Sequence, residues 1–280
     1  MFIIYAHRAN FIQAFARAFT LIVIIFSLSA CIARLPQGVR LTSIGPSELV
    51  RGSHFKHRIV SKIAEQAVAK ELQSLNVYIE GDGYSWLAPN KIAKDPSPEK
   101  ILTLAMMAED KGHTLFLGRP CYFQTSDKAC HPGLWTNARY SLAVIESMET
   151  VVRNELERRQ LKHIQFITHS GGSVIALALA DRIEEVYKVI AFAPLLDIHA
   201  WTELHTYSPL DMSIDPLEIR PRNDTDYQFY TGTNDLNTPV KINRRYFERY
   251  GLKLNIIAKQ KHHCCWLDFW QENHSKIQSQ

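Results

Sequence analysis

The feature that most constrains the fold is a repeated alternation between short apolar segments and longer amphipathic ones. The short segments, such as "HIQFIT" at 163–168 and "VYKVIAFA" at 186–193, are rich in β-formers and contain few polar residues. Strands of this kind occur in parallel sheets with helices on both faces, whereas half-exposed strands alternate apolar and polar side chains. The pattern therefore predicts an α/β fold with a mostly parallel central sheet.

The predicted elements follow one another without internal repeats. Strands are predicted at 75–81, 113–118, 163–168, 186–193, 226–232 and 252–258, and helices at 97–112, 137–159, 172–185 and 240–251. For the first helix, Ser97 is the expected N-cap, Pro98 the first-turn residue and Gly112 the stop. Residues 194–225 are irregular, rich in proline and too long for a simple connection, so they are expected to form a small cap.

The amino-terminal part of the chain differs in character from the rest. Arg8 and Arg17 precede the apolar run "AFTLIVIIFSLSA", and no acidic residue occurs before Glu48. Because the core of this run is short for a membrane span, residues 1–30 are predicted to be an export signal. Residues 31–54 are then predicted to be a tether with a loop leading into the domain, and residues 55–280 the folded domain.

The predicted signal ends in Leu28-Ser29-Ala30-Cys31, which resembles the lipobox of bacterial lipoprotein signal peptides. The resemblance implies cleavage before Cys31 and lipidation of that residue, and several acyl chains hold a protein stably on a membrane. Because Ile32 rather than an aspartate follows the cysteine, it further implies a lipid-anchored protein of the bacterial cell envelope, at the outer membrane and facing the periplasm. An uncleaved amino-terminal anchor helix is the alternative.

Export would place the mature chain in an oxidising compartment, where disulfides persist. Cys121 and Cys130 lie close together in a loop bordered by Pro and Gly, and are predicted to form a disulfide. The sequence does not assign the state of the adjacent Cys264 and Cys265.

The net charge of +4 arises from basic residues spread along the chain, and zinc-type Cys/His spacing is absent. Neither a nucleic-acid partner nor a metal site is therefore predicted.

In open α/β sheets, functional side chains lie at the carboxyl ends of the strands. After "HIQFIT" come His169, Ser170, Gly171 and Gly172, which match the Ser-x-Gly core of a nucleophile elbow. A tight strand–turn–helix lifts the serine hydroxyl above the sheet, at a helix N-terminus that favours developing negative charge. Ser170 is therefore the predicted nucleophile, although Thr168 departs from the usual glycine. A helix start without chemical meaning is the alternative.

Two later strands are followed by residues that would complete such a site. Asp235 follows the fifth predicted strand, and His262 and His263 follow the last. Taken singly, Asp235 suits a helix cap and the histidines suit a surface pair. The chain order Ser, Asp, His, each after its own strand, is that of a catalytic triad on an α/β sheet. Asp197, after the fourth predicted strand, is the alternative acid.

The loop after the first predicted strand is expected to complete an oxyanion hole. Its sequence, Gly81-Asp82-Gly83, allows the backbone to approach a substrate closely. The predicted donors are the N–H of Gly171, which follows the nucleophile, and the N–H of Asp82 or Gly83. A plain turn is the alternative.

With these parts in place, residues 55–275 resemble the α/β-hydrolase fold superfamily, and more closely the bacterial α/β-hydrolase lipoproteins of undefined substrate. The resemblance rests on "VYIEGDG", "LGRPCYF", "WTNARYS", "ITHSGGSVIALALA", "SPLDMSIDP" and "HHCCW". In that pattern the catalytic histidine stands four residues before the tryptophan, which implies His262, while a one-residue slip would select His263. Arg119 and Arg139 match the pattern too; they are expected to pack and form ion pairs, and binding of an acidic group is the alternative.

The predicted function is hydrolysis of a carboxylic ester, esterase- or lipase-like, through an acyl-enzyme at Ser170. The expected partners are a small-molecule ester or acyl substrate and, through the lipid anchor, a membrane; no cofactor is expected. One alternative is a serine peptidase of the prolyl-oligopeptidase-like group, in which His-Ser-Gly-Gly elbows also occur. The other is a non-catalytic envelope lipoprotein. The sequence indicates neither a natural substrate nor an oligomeric state.

Overall fold

A computed structural model describes residues 38–41, 44, 47–64 and 73–279 of the chain. The predicted export signal and the lipidation at Cys31 lie outside these residues and stay predictions. Within the described ranges, the helices are all too short or too polar to span a lipid bilayer.

The domain is built around an eight-stranded sheet within the described residues. In chain order the strands are β1 (Glu48–Arg51), β2 (Lys56–Lys62), β3 (Ser74–Ile79), β4 (Trp86–Ala88), β5 (Lys91–Ile92), β6 (His113–Leu117), β7 (His163–His169), β8 (Val186–Phe192), β9 (Asp226–Gly232) and β10 (Leu254–Ile257), of which β4 and β5 form a separate hairpin. The order in the sheet is β1-β2-β6-β3-β7-β8-β9-β10. The pairs β1–β2 and β2–β6 are antiparallel and the rest are parallel, which confirms the predicted mostly parallel sheet.

Helices cover the sheet. The described α-helices are α1 (Leu102–Glu109), α2 (Leu142–Arg158), α3 (Gly172–Arg182), α4 (Ile198–His205), α5 (Val240–Tyr250) and α6 (Trp266–Ser279). Helix α1 packs against α6, and α2 packs against α3. Strand β7 is buried at six consecutive positions, and since consecutive side chains of a strand point to opposite faces, both faces of the sheet are covered there.

The first predicted helix begins later than the sequence indicates. Helix α1 runs from Leu102 to Glu109, so the predictions of Ser97 as its N-cap, Pro98 as its first-turn residue and Gly112 as its stop are wrong. The Ser97 hydroxyl instead donates to Asp95 Oδ1 and accepts a hydrogen bond from the N–H of Phe123. These bonds fasten the segment before α1 to the loop after β6, so a residue suited to capping serves a loop contact.

Several elements were not predicted. Strand β1 lies in the predicted tether, so that prediction is wrong for Glu48–Arg51, which pair with Lys56–Ile59 of β2. Helix α4 lies in the segment 194–225, which was predicted to be irregular. Helix α6 follows the last strand and was not predicted at all. Its two tryptophans, Trp266 and Trp270, are fully buried.

The predicted disulfide is confirmed. The Sγ atoms of Cys121 and Cys130 lie 2.05 Å apart, and the bond closes the loop that follows β6. A second bond joins the adjacent Cys264 and Cys265, whose state the sequence did not assign.

Candidate active site

Ser170 lies in a sharp turn between β7 and α3. Its φ is +52°, in the left-handed region that residues other than glycine rarely adopt. The N–H of Ser170 donates to Phe192 O at 3.0 Å, and the Ser173 hydroxyl donates to Ser170 O at 2.7 Å. A strained turn held by such bonds has the form of a nucleophile elbow, with the Ser170 hydroxyl at the N-terminus of α3.

Glycines surround this turn because other groups lie too close for a side chain. A Cβ atom on Gly171 would overlap Tyr140 Oη and Asp82 Oδ1, and one on Gly172 would lie 2.6 Å from Ile79 O. A Cβ atom on Gly81 would lie 3.0 Å from Ser170 Cβ. The loop after β3 therefore packs directly against the Ser170 turn.

The structure brings the three side chains of the predicted triad together. Ser170 Oγ lies 2.9 Å from His262 Nε2. His262 Nδ1 lies 2.9 Å from Asp235 Oδ2 and 3.2 Å from Asp235 Oδ1. Asp235 and His262 are both buried, with 2% and 6% of their surface exposed. A chain of hydrogen bonds thus runs from a buried carboxylate through an imidazole to the serine hydroxyl.

The charge states of this chain follow from its surroundings. The Asp235 carboxylate accepts hydrogen bonds from the N–H groups of Asn237 and Thr238, each at 2.8 Å. Burial raises the pKa of the Asp235 carboxyl, but His262 and the Thr238 donors outweigh it and hold that pKa below its ordinary value. Burial lowers the pKa of the His262 imidazole below 6.5, although Asp235 opposes this. A neutral imidazole that donates through Nδ1 to Asp235 leaves Nε2 free to accept the Ser170 proton.

The two alternative residues are differently placed. Asp197 caps α4 by accepting the N–H of Ala200 at 2.8 Å, and its other oxygen pairs with Arg245 at 3.2 Å. His263 is exposed, and its ring contacts the His262 ring with 4.5 Å between centroids. In the described part of the chain, neither side chain is hydrogen-bonded to a member of the triad.

Asp82 is the centre of a buried ion-pair cluster. Its carboxylate pairs with Arg119 and, at 2.9 Å, with Arg139, and it accepts the Tyr140 hydroxyl at 2.6 Å. Burial raises the pKa of the Asp82 carboxyl, but the two guanidinium groups hold it well below its usual range. The expected ion pairing of Arg119 and Arg139 is confirmed, with a partner that the sequence did not predict. Two cations and one anion leave the cluster with a net positive charge.

The predicted oxyanion donors at Gly171 and Asp82 have no hydrogen-bond acceptor among the described residues. Asp82 Oδ1 occupies the space next to Gly171, whereas Gly83 packs against Pro96 O. The N–H of Gly81 is already bonded to Glu80 Oε1 at 3.0 Å. No acceptor among the described residues bonds to the N–H of Asp82 or of Gly171. Gly171 directly follows Ser170, and the Asp82 carboxylate lies against Gly171, so these two amides are the predicted donors that stay candidates.

A second carboxylate–imidazole pair, which the sequence did not reveal, lies behind the triad. Strands β3 and β7 are parallel neighbours in which Ile79 is opposite Thr168, so the next residues, Glu80 and His169, meet. Glu80 Oε1 lies 3.1 Å from His169 Nδ1, and His169 Nε2 lies 2.8 Å from His262 O. The sequence did contain one indication of this pair. Glu80 and His169 are ionisable residues at the ends of apolar strands, directly before the predicted oxyanion loop and the predicted nucleophile.

Three histidines near the site have the spacing of a metal cluster. The ring nitrogens of His169, His262 and His263 come within 4.8 Å of one another. Both ring nitrogens of His169 are already hydrogen-bonded, and those of His262 are bonded to Asp235 and Ser170. Of the three, His263 alone offers a free ligand atom, so the cluster does not fit a three-ligand site.

Comparison with known proteins identifies the fold. No protein-family model matches the chain, and no curated protein matches it. Est1E from Butyrivibrio proteoclasticus, solved with ferulic acid bound, is 13% identical with a TM-score of 0.60, over 83% of this chain and 100% of that one. The Pyrococcus furiosus esterase Pf2001 is 11% identical with a TM-score of 0.56, over 87% and 97%. A puromycin-hydrolysing peptidase of Mycobacterium tuberculosis is 10% identical with a TM-score of 0.55, over 81% of this chain and 38% of that one. At these identities the likeness is one of fold, and the chain has the predicted α/β-hydrolase fold.

Proposed function

We propose that this chain is a serine hydrolase that cleaves carboxylic esters through an acyl-enzyme. The observation that carries the proposal is the hydrogen-bonded chain from Asp235 through His262 to Ser170. An imidazole activates a serine hydroxyl when it is neutral, turns its free nitrogen to the hydroxyl, and is held by an acid on the other side. The fold by itself does not carry the proposal, because one fold supports many functions.

In the proposed reaction, Ser170 Oγ attacks the ester carbonyl while His262 Nε2 takes the hydroxyl proton. The carbonyl oxygen becomes an oxyanion, to which the free N–H groups of Gly171 and Asp82 would donate. His262 then gives its proton to the departing alcohol and leaves the acyl group on Ser170. Water, deprotonated by the same imidazole, releases the carboxylic acid and restores the serine.

The ion-pair cluster around Asp82 supports the assignment of its amide as an oxyanion donor. A carboxylate so close to Gly171 would repel an oxyanion if it stood alone. Arg119 and Arg139 more than cancel that charge, and the bonds they make hold the loop in place before substrate arrives. Donors that are fixed in advance stabilise a developing charge without reorganising.

Two observations favour an ester over an amide substrate. Est1E and the Pyrococcus furiosus esterase, two of the solved structures with this fold, are esterases, whereas a third is a peptidase. The segment 194–225 also exposes Tyr207 and Met212, by 54% and 61%, which suits an acyl chain or an aromatic acid. Serine peptidase activity stays the second candidate, because the puromycin-hydrolysing peptidase has the same fold.

Covalent labelling tests the proposed function. We expect a fluorophosphonate probe to add to the folded protein once per chain, and peptide mass spectrometry to find the adduct on Ser170. The natural acyl group is then sought with p-nitrophenyl esters of increasing chain length, a feruloyl ester and aminoacyl anilides. Faster hydrolysis of the esters supports the proposal, and faster hydrolysis of the anilides favours the peptidase. A folded protein that the probe leaves unlabelled would refute the serine hydrolase proposal.

Replacing Gly171 by alanine is expected to lower kcat about 100- to 1,000-fold, the effect of losing one oxyanion donor. The added methyl group would push against Asp82 and Tyr140 and so separate the two donor amides. The same crowding is expected to lower the free energy of unfolding by about 1–3 kcal/mol. Ester hydrolysis and thermal unfolding measure the two effects.

Gly251 supplies the matched control for this substitution. It ends α5 with a φ of +66° and has open space around it, and asparagine tolerates this conformation. Gly251→Asn should therefore keep the wild-type kcat. A folded Gly171→Ala variant with unchanged kcat would contradict the oxyanion assignment.

A further inference from the structure

The pair formed by Glu80 and His169 has no part in the proposed reaction steps, yet it is fully enclosed beside them. The side chains of Glu80 and His169 are 8% and 2% exposed. Burying a carboxylate and an imidazole costs free energy unless both are paired and hydrogen-bonded. The pair lies between the oxyanion loop and the base, and its hydrogen bonds reach both.

The Glu80 carboxylate fixes the start of the oxyanion loop. Its Oε1 accepts the N–H of Gly81 at 3.0 Å, and its Oε2 accepts the N–H of Thr103 at 2.9 Å and the Thr103 hydroxyl at 3.1 Å. Gly81 immediately precedes Asp82, whose amide is a proposed oxyanion donor. The carboxylate thus ties this loop to the first turn of α1.

The His169 imidazole fixes the residue that carries the proposed base. Its Nε2 donates to the main-chain carbonyl of His262 at 2.8 Å. His169 is also the last residue of β7, directly before Ser170. Through the bond between His169 and Glu80, the pair links the oxyanion loop, the nucleophile turn and the base loop.

The hydrogen-bond partners determine the protonation state of His169. Its two ring nitrogens face a carboxylate and a carbonyl oxygen, and neither group can donate. Burial raises the pKa of the Glu80 carboxyl, but the bonds from His169, Thr103 and Gly81 lower it to about 2, so Glu80 is an anion. Both ring bonds then form together only if both nitrogens carry protons, as in an imidazolium. Burial lowers the pKa of His169, but Glu80 and, more weakly, Asp235 outweigh it and raise that pKa above its ordinary value.

We propose that Glu80 and His169 form a positioning pair that holds the base and the oxyanion loop in register and, through the His169 cation, opposes protonation of His262. The His169 and His262 ring centroids are 5.0 Å apart. Among the described residues, the other charged or titratable groups facing His169 are Glu80, Asp235 and His263, and those facing His262 also include Asp82. A cation at this distance disfavours a second one. This inference rests on the proposed function, because it treats His262 as the base of that reaction.

Substitutions in the pair test the effect of the His169 charge on the protonation of His262. In the pH profile of kcat/KM, the acid limb reports protonation of the base in the free enzyme. His169→Gln removes the cation and leaves the Glu80 anion, so the acid limb is expected to move to higher pH. Glu80→Gln removes the anion and should not move the limb upwards. The double variant restores a neutral pair and should return the limb most of the way to its wild-type position.

Loss of positioning is expected to affect kcat more than KM. Each single variant is expected to lower kcat about 10- to 100-fold, because small misplacements of reacting groups have costs of this size, while KM stays close to wild type. His163→Gln is the control, since His163 is an exposed residue at the opposite end of β7. A purely structural role would not produce an upward shift in His169→Gln that the second substitution reverses.

Each outcome bears on the inference. A folded His169→Gln variant with a wild-type acid limb and kcat would overturn it. If that variant does not fold, neutron diffraction of the wild-type protein at pH 7 decides instead, with two deuterons expected on the His169 ring and a single one overturning the inference. If the wild-type protein neither hydrolyses esters nor reacts with the fluorophosphonate, the proposed function fails. The number of deuterons on His169 would still decide whether the Glu80–His169 pair is an ion pair, so the two failures are distinguishable.

Discussion

Replacing Ser170 by alanine is expected to lower kcat about a million-fold, the scale of loss when a triad nucleophile is removed. His262 Nε2 would face a methyl group and have no hydroxyl to deprotonate. The oxyanion donors would remain, so a small residual rate above the uncatalysed reaction is expected. The loss is measured as single-turnover hydrolysis of the best ester substrate, together with fluorophosphonate labelling, which should disappear.

This variant is expected to fold as the wild type does. The Ser170 turn is held through its main chain, by Phe192 O and Ser173, and these bonds do not involve the side chain. Ser141→Ala serves as the control, because Ser141 precedes α2 without a side-chain capping bond and should keep full labelling. If Ser170→Ala is folded and still turns over ester at a rate near wild type, the acyl-enzyme mechanism is wrong.

The central strands could be predicted because their environment is uniform. Strands β7 and β8 are buried along almost their whole length and β9 over Phe229–Gly232, so their sequences are rich in apolar β-formers. Each predicted position agrees with the structure to within one residue. The carboxyl ends of these strands were therefore also known, and with them the positions of Ser170 and Asp235.

The outer elements could not be predicted because their stability depends on distant partners. Strand β2, "KHRIVSK", is charged at both ends, and its pairing with β6 joins residues far apart in sequence. Helix α6 has many polar residues, and it is held by Trp266 and Trp270, whose burial requires the sheet and α1 to be in place. Local patterns carry little of this information.

The site was predictable in its reacting groups but not in its supporting ones. The order of Ser170, Asp235 and His262 along the chain can be read directly from the sequence. The contact between Glu80 and His169 depends on the register of β3 against β7, and the ion pairs of Asp82 join it to arginines 37 and 57 residues away in sequence. Supporting contacts of this kind are properties of the assembled sheet.

The adjacent histidines at the end of β10 give the second large effect. His262→Gln is expected to lower kcat about a million-fold, because glutamine cannot take and return the Ser170 proton. His263→Gln should leave kcat close to the wild-type value, because its exposed ring is not hydrogen-bonded to Ser170 or Asp235 within the described structure. Rates of ester hydrolysis and of fluorophosphonate labelling, with folding checked by circular dichroism, compare the two variants directly.

The opposite result would have a specific structural meaning. If His263→Gln were the inactive variant, the loop after β10 would have to be shifted by one residue relative to the sheet. The bond from His169 Nε2 to His262 O opposes that shift, and so does the main-chain bond from Lys261 N to Cys264 O. Both bonds would have to break for His263 to reach Ser170. A reversal would therefore exclude the hydrogen-bonded site and the Glu80–His169 positioning pair together, whereas the expected result leaves both in place.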